Sequence, residues 1–320
     1  MKLKMMYSFL NSDLATIEKT LEETVMADSS VLRESSLHLL QAGGKRIRPI
    51  FVLLAGQFGN YDINVIKKAA VALELIHMAS LVHDDVIDDA DLRRGQPTIK
   101  AKWDNKVAMY TGDYIFARSL EVMSDIKKIE AHKVLANTIV EVCIGEIQQI
   151  KDKYRYEQTI RDYFRRIKRK TALLISASSL VGAIASDVEK KYQKKLYRFG
   201  YYVGMSYQII DDVLDFVATE EELGKPAGGD LLQGNITLPV LYAMEQENVR
   251  EAVIAVHEDM DKEELQKIIM LIKNSDAIDR SLKVSDLYLA KALKELEDLP
   301  NNRSKKALIN IAKYLGKRKY

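Results

Sequence analysis

Two short acidic runs, Asp84-Asp85-Val86-Ile87-Asp88 and Asp211-Asp212-Val213-Leu214-Asp215, repeat one pattern, each inside an apolar, helix-forming stretch. On a helix, positions i and i+4 nearly eclipse, so Asp84 shares a face with Asp88 and Asp211 with Asp215. Each helix then presents a carboxylate claw, flanked by Asp85 in one case and Asp212 in the other. Like charges one turn apart destabilise a helix, and burying them beside Val, Ile and Leu costs far more unless something positive compensates. A divalent cation is the natural compensator. Oxygen-only claws suit Mg²⁺, which keeps waters and completes its shell with substrate phosphate. One such run would read as a solvated helix end; two in apolar settings read as a metal and phosphate site. An EF-hand does not fit, because loop position twelve from Asp84 is Gly95 rather than Glu.

The cations that such a site needs are local. Net charge is only +2, so no global field advertises nucleic acid, but Lys45, Arg46 and Arg48 cluster, as do Arg93 and Arg94, and Arg165 through Lys170. Gly43-Gly44 followed by Lys45, Arg46 and Arg48 at a helix start can cradle a diphosphate with backbone N–H groups and a guanidinium fork, although alone it equally suits a solvated basic turn. Arg93 and Arg94 lie one loop beyond the first claw. With Mg²⁺, these cations can neutralise two diphosphates, and two anions imply two substrates. His77 shares the face of Asp84 two turns earlier and can donate to a phosphate oxygen; its bland alternative is a hydrogen-bonded core histidine. Lys170, Thr171 and Gln208 can line the same cavity, and taken singly each is an ordinary surface or packing residue. Glu74-Leu75-Ile76-His77 matches the Glu-x-x-His of di-iron bundles, a fold that needs a second such motif.

The elements that carry these residues read as helices almost throughout. Apolar residues recur at three and four spacing over 7–27, 30–41, 47–59, 63–89, 101–123, 128–150, 157–181 and 187–219, then in shorter pieces, and strand signals are scarce. The helix bearing the first claw has small, buried character and is expected to be central. Breaks are expected at Gly43-Gly44, at Arg94 to Pro97, and from Leu223 to Asp230. With 47% apolar residues and no linker-like stretch, 320 residues are expected to form a single all-α domain over 1–320. The lone Cys143 excludes an internal disulfide and fits a reducing, cytoplasmic compartment. Neither a secretory signal nor a membrane-spanning run is expected, so any membrane contact is peripheral.

Taken in order, these motifs resemble the trans-polyprenyl diphosphate synthases from about Leu40 to Pro239. The likeness rests on Gly43 through Pro49, Glu74-Leu75-Ile76-His77, His83 through Asp89, Leu92-Arg93-Arg94-Gly95, Lys170-Thr171-Ala172, Tyr207 through Asp215, and Gly224-Lys225 to Asp230. The resemblance implies one large helical bundle around a deep central cavity, with the two claws facing each other. It implies that Lys45, Arg48, His77 and Arg94 bind isopentenyl diphosphate, and that Arg93, Lys170, Lys225 and Gln208 meet an allylic diphosphate. Asp84, Asp88 and Asp211 would hold Mg²⁺, assisted by Asp85, Asp212 and Asp215, with Thr171 and Gln208 turning oxygen dipoles toward an allylic cation. More narrowly, the chain is similar to large catalytic subunits that work with a small non-catalytic partner; a homodimer is the alternative. Two departures stand out: Asn235 where short-chain relatives have a second Lys, and Tyr207 where Phe is usual.

Product length follows from sterics. Ala79 and Ser80, just before Asp84, are small where short-chain enzymes of this kind place aromatics, so a long tunnel is expected, floored by Ile76 and by the helix around Ile139 to Ile144. A terpene cyclase is disfavoured because it generally lacks the second Asp claw and the cradle. An inert regulatory subunit is disfavoured because it has no need to sustain the cost of clustered aspartates.

Overall fold

Helical periodicity is realised over nearly all of the chain in the computed structural model, which describes residues 2–218 and 227–317. Lys225 and the first half of the third expected break lie outside the described residues. The chain packs as two compact units, one comprising Met1–Leu135, Ala177–Leu196 and Pro300–Leu308, the other Ala136–Ser176, Tyr197–Leu299 and Ile309–Tyr320.

The first unit contains helices α1 (Lys2–Met6), α2 (Asn11–Thr24), α3 (Ser30–Gln41), α4 (Ile47–Gly56) and α5 (Ile63–Ile87). A hairpin of β1 (Leu92–Arg93) and β2 (Gln96–Pro97) follows, then α6 (Ile99–Lys102), α7 (Asn105–Ser124) and the start of α8 (Ile129–Asp152). Asp62, Thr98 and Asp104 start α5, α6 and α7 by accepting the backbone N–H of Asn64, Ala101 and Val107, the usual reward for a short oxygen side chain at an N-cap. Helix α4 is apolar all round and every residue but Arg48 is buried, as befits a helix enclosed on all sides. Helix α5, the expected central helix, packs against α2, α4 and α7. Pro49 falls in the first turn of α4, where its missing N–H costs nothing.

The second unit takes the rest of α8, then α9 (Ile160–Ile167), a π-helical turn Lys168–Ala172, the start of α10 (Leu173–Ala185) and most of α11 (Lys190–Val217). Among the described residues six further helices follow: Gly229–Leu232, Leu238–Ala243, Glu247–Ile254, Lys262–Asn274, Ala277–Glu295 and Arg303–Gly316, the last shared with the first unit. One core gathers Phe216, Ile236, Val240, Val253 and Ile269; another gathers Tyr163, Ile167, Met205, Ile209 and Leu238.

Two expectations are refined. The helix predicted over 157–181 is divided by the π turn, and the predicted break at Arg94 to Pro97 closes as a hairpin pairing Leu92 with Pro97 and Arg93 with Gln96. Both central turn residues have positive φ, 55° at Arg94 and 74° at Gly95, the signature of a type I′ turn. No described helix is long and apolar enough to cross a membrane.

Close helix approach depends on glycine at one crossing above all. A Cβ on Gly182 of α10 would lie 2.2 Å from the carbonyl oxygen of Val52 in α4, an obstruction made of backbone. Gly182→Ala is therefore expected to destabilise the fold by about 2–3 kcal/mol, the cost of overpacking a rigid contact; a melting temperature equal to that of the parent would contradict this.

Candidate active site

The first acidic cluster is shaped by the way α5 ends. Asp88 is the C-cap, Asp89 adopts φ 50°, and the N–H groups of Asp89 and Ala90 turn back to the carbonyls of Val86 and Asp85, a Schellman closure with Asp in the usual glycine place. The N–H of Asp88 still bonds to the carbonyl of Asp84 at 2.8 Å, so the two outer acids keep their one-turn relation. Asp85 is buried at 3% exposure, and Arg93 donates to its Oδ1 from Nε at 2.8 Å and Nη2 at 2.7 Å. Burial pushes the Asp85 carboxyl up and Arg93 opposes that shift.

The I′ turn separates the two neighbouring arginines. Arg93 faces Asp85, while the guanidinium of Arg94 lies against Gly44, where an added Cβ would come within 2.7 Å of Nη1. Gly44, Arg94, Arg48 and His77 thus belong to one cationic corner beside Lys45. Arg46 is diverted: it pairs with Glu18 at 2.6 Å and Glu74 at 3.1 Å, so it braces the loop, and Glu74 is taken up by Arg46. Desolvation, then Arg48, Arg94, Arg93 and Arg46, hold His77 well below the ordinary histidine value, leaving a neutral ring that can still donate one N–H.

The second cluster, on α11, is organised differently. Asp212 is buried at 3% exposure; Tyr163 donates to its Oδ2 at 2.7 Å and Gln208 Nε2 to its Oδ1 at 2.8 Å. Thr171 in turn donates to Gln208 Oε1 at 2.5 Å, so that oxygen is engaged by a hydroxyl rather than open to a cation. Burial, reinforced by the nearby Asp230, pushes the Asp212 carboxyl up to about 7 against the donors Gln208 and Tyr163. Asp215, at 1% exposure, accepts the N–H of Asp230 at 3.1 Å, and its carbonyl accepts the N–H of Gly228 at 2.8 Å. Lys170 donates to Gln149 at 2.9 Å. Gln149, Lys170, Gln208, Asp212, Asp230 and Thr237 line one polar cavity, and the buried hydroxyl of Thr237 there has no hydrogen-bond partner among the described residues.

Comparison with known proteins decides the family. The sequence model described as "Polyprenyl synthetase" matches residues 29–272. The chain belongs to the polyprenyl synthetase family. It is 63% identical over 320 residues to heptaprenyl diphosphate synthase component 2 of Bacillus subtilis (strain 168), covering 100% of this chain and 92% of that one. Among solved structures, heptaprenyl diphosphate synthase from Staphylococcus aureus is similar with a TM-score of 0.93, 46% identity and coverage of 97% of this chain and 98% of that one. Polyprenyl synthase from Caulobacter crescentus CB15, complexed with calcium and isoprenyl diphosphate, is similar with a TM-score of 0.93, 30% identity and coverage of 99% and 98%. This polyprenyl synthetase is accordingly an all-α prenyltransferase.

Within the first unit of the polyprenyl synthetase the expected residues Lys45, Arg48, His77, Asp84, Asp85, Asp88, Arg93 and Arg94 occur together, and within the second Lys170, Thr171, Gln208, Asp211, Asp212 and Asp215. Ile76 and Ala79 are buried on α5, and Ser80 donates to the carbonyl of His77 at 2.9 Å. On α8, whose stretch from Ile139 to Ile144 was expected to join Ile76 in the tunnel floor, Val140 and Ile144 are 57% and 43% exposed. Sequence reasoning missed Tyr163, Gln149 and the diversion of Arg46. The capping box Thr159-x-x-Asp162 signals the start of α9 and so places Tyr163 in its first turn, but nothing local shows what its hydroxyl meets.

The donor set fits a hard divalent ion. Among the described residues no three His, Cys, Asp or Glu groups could hold a metal by themselves, so an ion here would take few carboxylates and fill its shell with water and ligand oxygen, as Mg²⁺ does.

The depressed His77 value fixes a sign for stability. A folded-state pKa below the unfolded value of 6.5 contributes stability that is complete above about pH 6.5 and is lost as pH falls toward the folded value. His77→Gln is expected to shrink the loss of stability between pH 7 and pH 5 in chemical denaturation; an unaltered pH profile would refute a neutral, desolvated His77.

Proposed function

We propose that this chain extends farnesyl diphosphate by successive trans additions of isopentenyl diphosphate, giving a long-chain product, heptaprenyl diphosphate for a menaquinone side chain. The observation that carries the reading is the union, in one unit, of an outer acid pair on α5 with a turn that sets Arg93 on Asp85 and Arg94 against the Gly44-Lys45 loop. Product length rests on the relatives, the first of which is named as a heptaprenyl diphosphate synthase component over the whole length of this chain. The two units serve one catalytic domain over 1–320, in the cytoplasm.

Lys45, Arg48 and Arg94 bind the isopentenyl diphosphate, with the neutral N–H of His77 completing that corner. Arg93, Lys170, Gln208 and Lys225 serve the allylic diphosphate. Asp84, Asp88 and Asp211 are the ligands for Mg²⁺, and the calcium in the Caulobacter relative supports divalent-ion binding in such a fold. Bound there, Mg²⁺ would neutralise the departing diphosphate. Asp85, Asp212 and Asp215 position the clusters, as their hydrogen bonds to Arg93, Tyr163, Gln208 and the Asp230 N–H support. The released diphosphate accepts the proton, so no dedicated side-chain base is needed.

The partner is a small non-catalytic subunit, in keeping with "component 2" in the relative's name. An apolar stripe on α8 supports an association surface: Val140, Ile144, Ile147 and Ile150 recur at three and four spacing and are 43–57% exposed. Self-association through that stripe would instead give a homodimer.

Incubation with isopentenyl and farnesyl diphosphates and Mg²⁺, with and without a candidate small subunit, followed by sizing of the dephosphorylated products, tests the reading. Long chains formed only with the subunit are expected, whereas full activity of the chain alone would remove the two-component assignment. Asp84→Ala and Asp211→Ala are each expected to lower kcat by roughly a thousandfold or more without loss of folding, since anionic crowding is relieved; near-normal rates would refute the metal roles. Ala79→Phe should cut the product to roughly three or four isoprene units by filling the space beside α5, and an unchanged product would refute that path.

A further inference from the structure

We propose that Tyr163 is a positioning residue for the second acidic cluster, orienting the carboxyl of Asp212 through a neutral donor so that the cluster is held in place for a metal-bound diphosphate. The inference rests on the reading of that cluster given above. Tyr163 is fully buried, and its place is prescribed from both ends: the Thr159–Asp162 capping box opens α9, and the ring packs in the core with Ile167, Met205 and Ile209. The guanidinium of Arg166 sits 5.6 Å from the ring centroid. Arg166 is itself 5% exposed and anchored, donating to Gln158 Oε1 at 2.7 Å and to the carbonyl of Ile236.

A phenylalanine would fill this core equally well. The hydroxyl is the part that packing does not require, and it lies 2.7 Å from Asp212 Oδ2. With Gln208 Nε2 on Oδ1 and Thr171 on Gln208 Oε1, both oxygens of Asp212 are taken and the amide orientation of Gln208 follows, since the opposite one would face oxygen to carboxylate. Asp212 therefore acts as a keystone between α9, α11 and the π turn that carries Lys170 and Thr171.

The contrast with the first cluster gives this a functional sense. There the middle acid, Asp85, is neutralised by an arginine. Here the corresponding acid meets a phenol and an amide, and Arg166, beside the Tyr163 ring, donates to Gln158 and Ile236. A neutral donor fixes the direction of the carboxyl without the ion pair that holds Asp85, so at the second cluster orientation comes from hydrogen bonds alone.

Tyr163→Phe tests this through binding as well as turnover. The Mg²⁺ concentration for half-maximal rate should rise about tenfold, the effect of one lost hydrogen bond to a carboxylate, with KM for isopentenyl diphosphate within about twofold. The rise in melting temperature on adding Mg²⁺ with inorganic pyrophosphate should fall to less than half that of the parent. Asp212→Asn, which relieves a buried charge and so guards against misfolding, should reproduce both effects, and adding Tyr163→Phe to it should change neither further. A variant with the parent's Mg²⁺ dependence and full pyrophosphate response, or additive losses in the double variant, would overturn the inference while leaving the site reading intact. Absence of any pyrophosphate response in the parent would overturn the site reading and this inference together.

Discussion

A carboxylate pressed against leucine and isoleucine must have a donor or a cation for its oxygens, or it takes up a proton. This chain buries Asp85, Asp212 and Asp215 in such settings, and much of the local structure answers to that demand. Arg93 is brought to Asp85, Tyr163 and Gln208 to Asp212, and the N–H of Asp230 to Asp215. Apart from Gln208, which shares α11 with Asp212, these partners come from elements other than the acid's own, so the acids act as tie points as well as charges. The demand is not fully met: Asp212 stays pushed up to about 7, the mark of a site still short of positive charge.

Meeting the demand in the first unit requires backbone conformations that ordinary residues avoid. Arg46, Asp89 and Arg94 all have positive φ, in the loops that carry the cationic corner and the end of α5. Such conformations cost of order 1 kcal/mol each and persist where their surroundings over-determine them. Asp89 terminates α5 so that the chain can return; Arg94 turns it so that adjacent arginines face Asp85 and Gly44; Arg46 is locked by Glu18 and Glu74. Strain, pairing and substrate chemistry thus converge on the same few residues.

The sequence made the helices, the two acidic runs and the cationic motifs legible because all three are local patterns: a period, a spacing, a cluster. What it concealed was pairing. Arg46 and Arg48 look alike beside Gly44, yet one is consumed by Glu18 and Glu74, and no local rule distinguishes them. Asp85 and Asp212 occupy the same place in their motifs, yet one meets an arginine and the other a tyrosine. The stripe on α8 has an ordinary helical period; only its exposure separates it from a core face, and exposure is not written in a period. The π turn was hidden for a related reason, since apolar periodicity runs through 157–181 and a one-residue insertion leaves no mark on it.

The crossing of α11 and the π turn links packing to chemistry. Gly204 of α11 lies so close to Ala172 that an added Cβ would sit 2.5 Å from its Cα, which pins the end of the π turn against α11. One turn further along α11 stands Gln208, and the hydroxyl of Thr171 reaches it at 2.5 Å. The wider π turn rotates Lys170 away from the α9 register and into the cavity shared with Asp212 and Asp230. A regular helix through 168–172 would shift that register by one residue, about 100° of rotation, and could not keep both the glycine contact and the Thr171–Gln208 bond. The irregularity is therefore what allows one helix pair to pack tightly and still direct a lysine, a threonine and a glutamine toward the same acids.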